Sequence, residues 1–499
     1  MWYEGFAIAL QSHNLMYLLL GTIIGLVVGA MPGLGPLFGV GLMLPFTFGM
    51  PAATAIIFLA AVHAATAYGD SIASILINTP GGIGSVASCW DGYPLAQQGK
   101  AGMALGISTT SSFIGGLIGW VSLVVISPLL ILVALKMGPP EYFMVAFMAL
   151  SLLAMASAGK VAAGLALGGI GLLLAFIGND PITASSRFTF GTDYLEDGLP
   201  LVPVAVGLFA LSQAIVLAEQ GGTIAQIRSV GSIWQGFGET LRRPFTIMRG
   251  GIVGILLGVM PALGLSSANI IAYLVEKRAS KNPETFGHGN PAGLVAPEVA
   301  KNSCILGDLI PTFTLGIPGS STTALFLAAM TMHGLQPGVN FFEASGPLPY
   351  AIFSGILFAQ IAFFVLGLFF ARYFAMIVLA PNAFIVPMIV FLSFIGSFAM
   401  RSRIEDVLVT IIFGFLGYIL SKRDYPAICL LLGFVLGDIT EANFHRSILI
   451  GRGSYLIFLS TTISIVLFTL TILALIGPYL VTFGKKFLER ERSVSSEET

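Results

Sequence analysis

Two aspartates stand at matching positions ahead of two Pro-Gly pairs, each inside a strongly apolar stretch. Asp70 lies in "YGDSIASILINTPGG" and Asp308 in "LGDLIPTFTLGIPGS", and the two stretches align without a gap. A carboxylate inside a membrane-spanning segment is costly and by default suggests function. We predict that both aspartates bind a coupling cation or a proton, together with the hydroxyl groups of Ser71 and Thr314. The alternative is that both lie at the lipid–water boundary as helix caps, where a carboxylate costs little.

The Pro-Gly pairs predict two broken-helix tips. Proline disfavours helix at the residue before it, so the first helix should end near Asn78, and the glycines that follow permit a tight reversal. A helix that begins after such a break presents free N–H groups, which suit a carboxylate. We predict that substrate is bound by Asn78, Thr79, Pro80, Gly81, Gly82 and Ser85 in the first tip, and by Gly316, Pro318, Gly319, Ser320, Ser321 and Thr322 in the second. The alternative is a pair of ordinary loops at the membrane surface.

The elements that must position these groups are predicted to be membrane helices. The 499 residues are 56% hydrophobic and 9% charged, with a mean hydropathy of +0.93. Soluble domains carry about 25% charged residues, so we predict an all-α polytopic membrane protein of about twelve spans. The chain carries no phosphate-binding loop, zinc-protease motif or nucleophile elbow, so neither enzyme activity nor a metal or organic cofactor is expected. The net charge of −1 says nothing about partners, and the sequence has no basic segment that would suit nucleic acid.

A second repeated motif precedes each aspartate. "GLVVGAMPGLG" (25–35) matches "GILLGVMPALG" (254–264), and the order of the two motifs is the same in both halves of the chain. Such order predicts an internal duplication. We interpret the prolines and glycines of this motif as structural helix breaks packed behind the tips: Pro32, Gly33, Gly35, Pro261 and Gly264.

The loops after the two copies differ in charge, which predicts opposite orientations in the membrane. "FTFGMPAAT" has no cation, whereas "VEKRASKNPETFG" has three, and cytoplasmic loops carry the excess of Lys and Arg. Inverted-topology repeats with broken, re-entrant helices are typical of secondary transporters. The predicted order is membrane repeat 1 (1–218), a cytoplasmic linker (219–249), membrane repeat 2 (250–450), an extra C-terminal transmembrane helix (451–482) and a cytoplasmic tail (483–499).

Four further charged residues border apolar segments: Lys136, Lys160, Glu298 and Lys301. Long charged side chains at such places commonly extend to the membrane surface and leave only their apolar stems in the hydrocarbon. We therefore expect all four at the interface rather than in contact with a ligand.

The two motifs and the long third block resemble the large membrane subunit of the tripartite tricarboxylate transporters, the TctA-like permeases. The third block reads "AYLVEKRASKNPETFGHGNPAGLVAPEVAKNSCILGDLIPTFTLGIPGSSTTALFLAAMTMHGLQPG", and the similarity extends over nearly the whole chain. The resemblance implies a multi-pass permease of the bacterial inner membrane that takes up di- or tricarboxylates by symport with Na⁺ or H⁺. It also implies two partners, a periplasmic solute-binding protein and a small multi-span membrane subunit.

Carried over to this sequence, the resemblance places the family's tip motifs on the tip residues given above and its "DGYP" segment on Asp91, Gly92, Tyr93 and Pro94. This chain also departs from the family pattern. The family usually has a small residue where Asp70 and Asp308 stand, and an asparagine where Lys301 stands. It usually has an acid where Ala292 stands.

Two other functions remain open at this point. A channel for small anions could use the same broken helices as a filter, and an intramembrane enzyme could use Asp70 and Asp308 as a catalytic pair. Uptake that requires an ion gradient would separate a transporter from a channel. The enzyme lacks an accompanying nucleophile or metal motif in the sequence.

Overall fold

Helices provide almost all of the regular structure in this computed structural model. It describes residues 1–31, 33–80, 82–156, 160–180, 183, 185–220, 231–260, 264–377 and 382–473. The prediction of an all-α protein is confirmed, since the strands in this part of the chain are one short antiparallel pair, β1 (Gly178–Asn179) and β2 (Ser186–Arg187). Several predicted features lie outside the described residues: Pro32, Gly81, Pro261, residues 221–230 of the linker, and 474–499 at the C-terminus.

The α-helices are numbered in chain order: α1 (Trp2–Ala9), α2 (Ser12–Ala30), α3 (Pro36–Met43), α4 (Ala52–Ile77), α5 (Val86–Leu95), α6 (Ala101–Ala134), α7 (Pro139–Ala156), α8 (Val161–Ala175), α9 (Leu201–Ala205), α10 (Ser212–Gln220), α11 (Trp234–Leu241), α12 (Pro244–Val259), α13 (Gly264–Ala279), α14 (Pro291–Gly307), α15 (Leu309–Leu315), α16 (Ser321–Met332), α17 (Val339–Ala344), α18 (Leu348–Ile377), α19 (Asn382–Arg401), α20 (Ile404–Lys422), α21 (Ala427–Ile450) and α22 (Thr462–Leu473).

Within the described residues, seven helices are long and apolar enough to cross a membrane: Ser12–Ala30, Ala52–Ile77, Val86–Ala134, Leu201–Glu219, Leu348–Ala371, Ile404–Lys422 and Ala427–Ile450. Shorter apolar helices of 10–17 residues accompany them, such as Pro244–Val259 and Ser321–Met332. A helix needs about 20 apolar residues to span the hydrocarbon core alone. The chain is therefore a multi-pass membrane protein, and the number of about twelve spans stays a prediction.

The chain divides into two compact units, and each unit takes residues from both predicted halves. The first holds Met1–Leu135 and Leu199–Ala427, and the second holds Lys136–Gly198 and Ile428–Thr499. In the second unit, Arg187 of β2 binds Glu441 of α21 through two hydrogen bonds of 2.6 and 3.0 Å. All of the predicted tip and ion-coupling residues belong to the first unit.

Glycines bring helices α2 and α4 into backbone contact. Gly21, Gly25 and Gly29 recur every fourth residue and so share one face of α2. A Cβ atom added at these positions would lie 2.7, 2.6 and 2.5 Å from the carbonyl oxygens of Phe58, Val62 and Thr66, respectively. Only glycine allows so close an approach, and α4, which carries Asp70, is thereby held against α2.

The same arrangement recurs between α12 and α14. Gly250, Gly254 and Gly258 lie against the carbonyl oxygens of Ala296, Ala300 and Cys304, with Cβ distances of 2.7, 2.3 and 2.5 Å. In the sequence alignment, Gly25 and Gly29 correspond to Gly254 and Gly258. Residues matched by the two repeated motifs therefore make matching contacts.

Replacing Gly254 by alanine should destabilise the protein. The new Cβ would meet Ser303 Oγ at 2.0 Å and the Ala300 carbonyl oxygen at 2.3 Å, and overpacking of this kind costs about 1–3 kcal/mol. The matched control is Gly169→Ala on α8, where no atom lies within 4 Å and alanine favours the helix. The thermal unfolding midpoint in detergent should fall for Gly254→Ala and not for Gly169→Ala; equal midpoints would contradict the close packing.

Candidate functional site: two helix tips above buried carboxylates

The first tip begins where α4 ends, as predicted from Pro80. The helix stops at Ile77, and Asn78 takes a left-handed backbone conformation with φ of 56°. Asn78 and Thr79 are exposed, Pro80 and Gly82 are half-buried, and Ser85 is buried with its hydroxyl donating to the Gly82 carbonyl at 3.0 Å. The tip therefore begins with exposed residues and ends with a buried serine.

The described part of the predicted helix break, which includes Gly33 and Gly35, packs against this tip. The Gly33 N–H donates to the Pro80 carbonyl at 3.4 Å. A Cβ added at Gly82 would lie 2.9 Å from Gly35 Cα and 3.2 Å from Asp70 Oδ2. The backbone of the tip thus lies between the break and the carboxylate of Asp70.

The second tip follows α15. That helix ends at Leu315, and Gly316 takes the left-handed conformation with φ of 69°. The Gly319 N–H donates to Thr312 Oγ1 at 3.3 Å, and Ser320 caps α16 by accepting from the Thr323 N–H at 3.3 Å. The other predicted residues of this tip are buried: Gly316, Pro318, Ser321 and Thr322.

Each tip packs against helices of the opposite half. The first touches α13, where the Ala87 N–H donates to Asn269 Oδ1 at 2.8 Å. Helix α16, which follows the second tip, packs on α3 and α4, and the rings of Phe326 and His63 are 5.6 Å apart. The second tip therefore lies in the interior of the first unit, whereas the first tip keeps Asn78 and Thr79 exposed.

Asp70 forms a fully buried ion pair with Lys301. Both side chains are 0% exposed, and Lys301 Nζ lies 2.8 Å from Asp70 Oδ1 and 3.2 Å from Glu298 Oε2. The ammonium group also donates to Ser71 Oγ. Asp70 Oδ2, which faces Gly82, accepts no hydrogen bond.

Glu298 is held by four serine hydroxyls in addition to Lys301. Glu298 Oε1 accepts from Ser71 at 2.6 Å and Ser88 at 2.5 Å, and Oε2 accepts from Ser108 and Ser112 at 3.0 Å each. The donors come from α4, α5 and α6, so one carboxylate joins three helices to α14. Hydrogen bonds of this kind stabilise the charged form.

The interpretation of Glu298 and Lys301 as interface residues is therefore wrong. Both are 0% exposed, because their charges are satisfied by partners on neighbouring helices rather than by water. The signal that sequence reasoning missed is the row of hydroxyls on α6, where Ser108 and Ser112 are one helical turn apart and aim at the same carboxylate.

Asp308 has a different environment from Asp70. It stands between α14 and α15, it is 0% exposed, and neither of its carboxylate oxygens accepts a hydrogen bond. The Ser320 side chain lies beside it, and a Cβ added at Gly319 would lie 2.6 Å from Asp308 Cβ. Both aspartates are thus buried beneath their tips, and Asp308, at the N-cap position of α15, makes no side-chain capping hydrogen bond.

The predicted ion-coupling residues are not all brought together. Ser71 joins the Asp70 cluster, whereas Thr314 Oγ1 donates to the Ile310 carbonyl of its own helix at 2.6 Å. Among the described residues, no hydrogen bond or ion pair joins Asp70 to Asp308. The structure therefore holds two separate carboxylate sites rather than one pair.

Comparison with known proteins identifies the family of this chain. A family model described as "Tripartite tricarboxylate transporter TctA family" matches residues 15–432. The chain belongs to the TctA family. The resemblance drawn from the sequence motifs is confirmed, and the family is one of transporters rather than enzymes.

Two relatives come from Agrobacterium vitis. "Uncharacterized 52.8 kDa protein in TAR-I ttuC' 3'region" is 33% identical over 461 residues, which are 92% of each chain. "Uncharacterized protein in TAR-II ttuC' 3'region" is 33% identical over 233 residues, which are 47% of this chain and 96% of that protein. No solved structure matches this TctA-family chain.

The "DGYP" segment of this TctA-family chain holds the loop before α14. Asp91 Oδ1 accepts from the backbone N–H groups of Gly287, Gly289 and Asn290 at 3.0, 2.8 and 2.7 Å. Asp91 Oδ2 accepts from the Tyr273 hydroxyl at 3.0 Å. Asp91 is buried, so this contact fixes where α14 begins and thus where Glu298 and Lys301 are placed.

Replacing Asp91 by alanine should lower stability strongly. Three loop N–H groups and one hydroxyl would lose their acceptor, and each buried donor left unsatisfied costs about 1–3 kcal/mol. Asp91→Asn keeps one acceptor oxygen and should cost less. Thermal unfolding in detergent measures both, and an Asp91→Ala midpoint equal to that of Asp91→Asn would contradict this role.

Two positions at which the resemblance implies a different residue turn out to be partners. Asp70, where it implies a small residue, and Lys301, where it implies an asparagine, form the buried ion pair. Without Asp70, Lys301 would keep Glu298 as a partner at 3.2 Å, whereas Asp70 without Lys301 would be a buried charge with no cation beside it among the described residues, which is strongly destabilising. The burial of Asp70 therefore depends on Lys301.

Proposed function

We propose that this protein is the large permease subunit of a tripartite, binding-protein-dependent secondary transporter that takes up di- or tricarboxylates by ion-coupled symport. The observation that carries the proposal is the pair of broken-helix tips, each above a fully buried aspartate, in a chain of the TctA family. A transporter needs a site for the substrate next to a site for the coupling ion. Each tip places hydroxyls and helix ends next to a carboxylate.

The substrate is bound at the tips. Helix α16 begins directly after the second tip, so its first N–H groups and the hydroxyls of Ser321 and Thr322 are available to an anion. The first tip offers the exposed Asn78 and Thr79. Two tips of this chemistry suit a molecule with two or three carboxylates better than a monovalent anion, because each tip can bind one of them.

The two halves have opposite orientations in the membrane. The matching glycine contacts of α2 with α4 and of α12 with α14 support a common origin of the halves. The charge bias of the loops that follow the repeated motifs supports the inversion. In this arrangement the C-terminus is cytoplasmic, the permease lies in a bacterial inner membrane, and alternating access moves the central site from one face to the other.

Two partners complete the transporter. A periplasmic solute-binding protein delivers the carboxylate, and a small multi-span membrane subunit accompanies the permease; membership of the TctA family supports both. The coupling ion is Na⁺ or H⁺, and no cofactor takes part.

Reconstitution tests the function directly. The chain is placed in proteoliposomes with its small subunit and binding protein, and uptake of labelled di- and tricarboxylates is compared under an inward Na⁺ gradient, an inward H⁺ gradient and no gradient. We expect uptake against the substrate gradient under one of the first two conditions and only with the binding protein present. Uptake that equilibrates without a gradient would favour a channel, and no uptake of any organic acid would overturn the proposal.

A further inference from the structure

The carboxylates of Asp70 and Asp308 have equivalent positions but unequal partners. Each follows a glycine packed on a glycine face, that of α2 for Asp70 and that of α12 for Asp308. A Cβ added at Gly29 would lie 2.9 Å from Gly69 Cα, and one added at Gly307 would lie 3.2 Å from Gly258 Cα. These glycine contacts match, although Asp70 lies within α4 and Asp308 between α14 and α15, and the two sites differ in the charges around each carboxylate.

In the first half, an ammonium group occupies the position of a bound cation. Lys301 Nζ contacts Asp70 Oδ1, Glu298 Oε2 and Ser71 Oγ, which are carboxylate and hydroxyl oxygens. Hard cations take ligands of this kind. The ammonium is covalently tethered to α14, and its side chain is 0% exposed, so it cannot be exchanged with solution.

The remaining negative charge of this cluster is already stabilised. Asp70 and Glu298 against Lys301 leave one formal negative charge, and the two oxygens of Glu298 accept four hydroxyl hydrogen bonds besides the contact with Lys301. Such hydrogen bonds stabilise a carboxylate without a further ion. Asp70 Oδ2 accepts no hydrogen bond, but both carboxylates of this cluster have the Lys301 ammonium as a charged partner.

In the second half, the corresponding carboxylate has no such partner. Neither oxygen of Asp308 accepts a hydrogen bond, and among the described residues no ion pair includes it. The Thr312 hydroxyl donates to the Asp308 backbone carbonyl at 2.6 Å instead of to the carboxylate. The Ser320 side chain that lies beside the carboxylate is neutral, and a buried carboxylate without a cation is so costly that it takes up a positive charge.

We propose that Lys301 is a tethered cation that permanently occupies the coupling position of the first half, so that the exchangeable coupling cation binds at Asp308 alone. This rests on the proposed function as an ion-coupled permease and specifies its ion site. The class of ligand is a single monovalent positive charge, either Na⁺ or a proton. One such charge is bound whenever the permease carries substrate.

Among the described residues, the other titratable groups near the two sites are thiols and a phenol. Cys89 of α5 lies near Asp70 and Glu298, and the Tyr68 hydroxyl of α4 contacts Thr109 of α6. The thiol of Cys304 lies near Asp308. Thiols and phenols are neutral near pH 7, so none of them supplies the missing positive charge.

The test measures cation binding on the purified full-length chain, without substrate. One arm counts bound radioactive sodium per chain at constant pH. The other counts protons taken up on acidification without sodium, as the difference from Asp308→Asn, because the other carboxylates and the histidines take up protons equally in both proteins. Wild type should bind about one cation in one of the arms, and Asp308→Asn should lose it. Lys301→Gln opens the first position and should bind about two, whereas Asp70→Asn/Lys301→Gln, which removes both charges of the pair, should return to about one.

Two variants at exposed residues serve as controls with the same kinds of substitution, Asp193→Asn and Lys136→Gln. Both should bind the same number of cations as wild type. Unchanged binding in Asp308→Asn overturns the proposal, and so does a Lys301→Gln chain that binds no additional cation. If Lys301→Gln cannot be purified, Asp308→Asn alone decides. Failure of carboxylate uptake in proteoliposomes would instead overturn the proposed function and leave these binding counts unchanged.

Discussion

Replacing Lys301 by methionine should destabilise the protein by about 3–5 kcal/mol, the cost of removing one partner from a buried ion pair. The substitution keeps an unbranched side chain that is one atom shorter and removes the only cation that contacts Asp70 and Glu298 among the described residues. Water cannot replace it, since both carboxylates are 0% exposed. The measurement is the thermal unfolding midpoint of the purified protein in detergent.

Two further variants separate charge from packing in this experiment. Asp70→Asn/Lys301→Met removes both members of the pair and should recover part of the loss, because no uncompensated charge remains on Asp70. Lys422→Met is the matched control, since Lys422 pairs with Glu219 at 2.9 Å while more than half exposed, and its midpoint should not change measurably. If the double variant is as unstable as Lys301→Met, the loss of stability comes from packing and not from the unpaired charge.

The tips could be predicted from the sequence because local chemistry determines them. Pro80 ends α4 at Ile77, and Gly316 supplies the left-handed residue after α15. Neither feature requires knowledge of the remaining fold, since a proline and a glycine act on their immediate neighbours. The burial of Asp70 and Asp308 was likewise predictable from the apolar residues around them.

The cluster around Glu298 could not be predicted in the same way. Asp70 and Lys301 are 231 residues apart, and their contact depends on how far α14 is rotated against α4. When the sequence shows a charged residue without its partners, the expected position is the membrane surface. Burial of such a residue is tolerated only where several partners bind its charge. Ser71, Ser88, Ser108 and Ser112 provide that array, and their common target appears only when three helices are packed.

The same substitution should have opposite effects on stability at the two aspartates. Asp70→Asn removes one of the two carboxylates that pair with Lys301 and should destabilise the protein. Asp308→Asn removes a buried carboxylate that has no cation beside it among the described residues, and an uncompensated charged group costs about 1–3 kcal/mol or more. In buffer without the coupling cation, Asp308→Asn should therefore unfold at a higher temperature than wild type.

Adding the coupling cation should reverse that order. A ligand that binds only the folded protein stabilises it by about 2.7 kcal/mol at a hundred times its dissociation constant. Wild type should gain this stability as sodium or acid is added, whereas Asp308→Asn should not respond. A parallel rise in both midpoints would place the cation elsewhere. A wild type that is more stable than Asp308→Asn without any cation would mean that Asp308 is already paired.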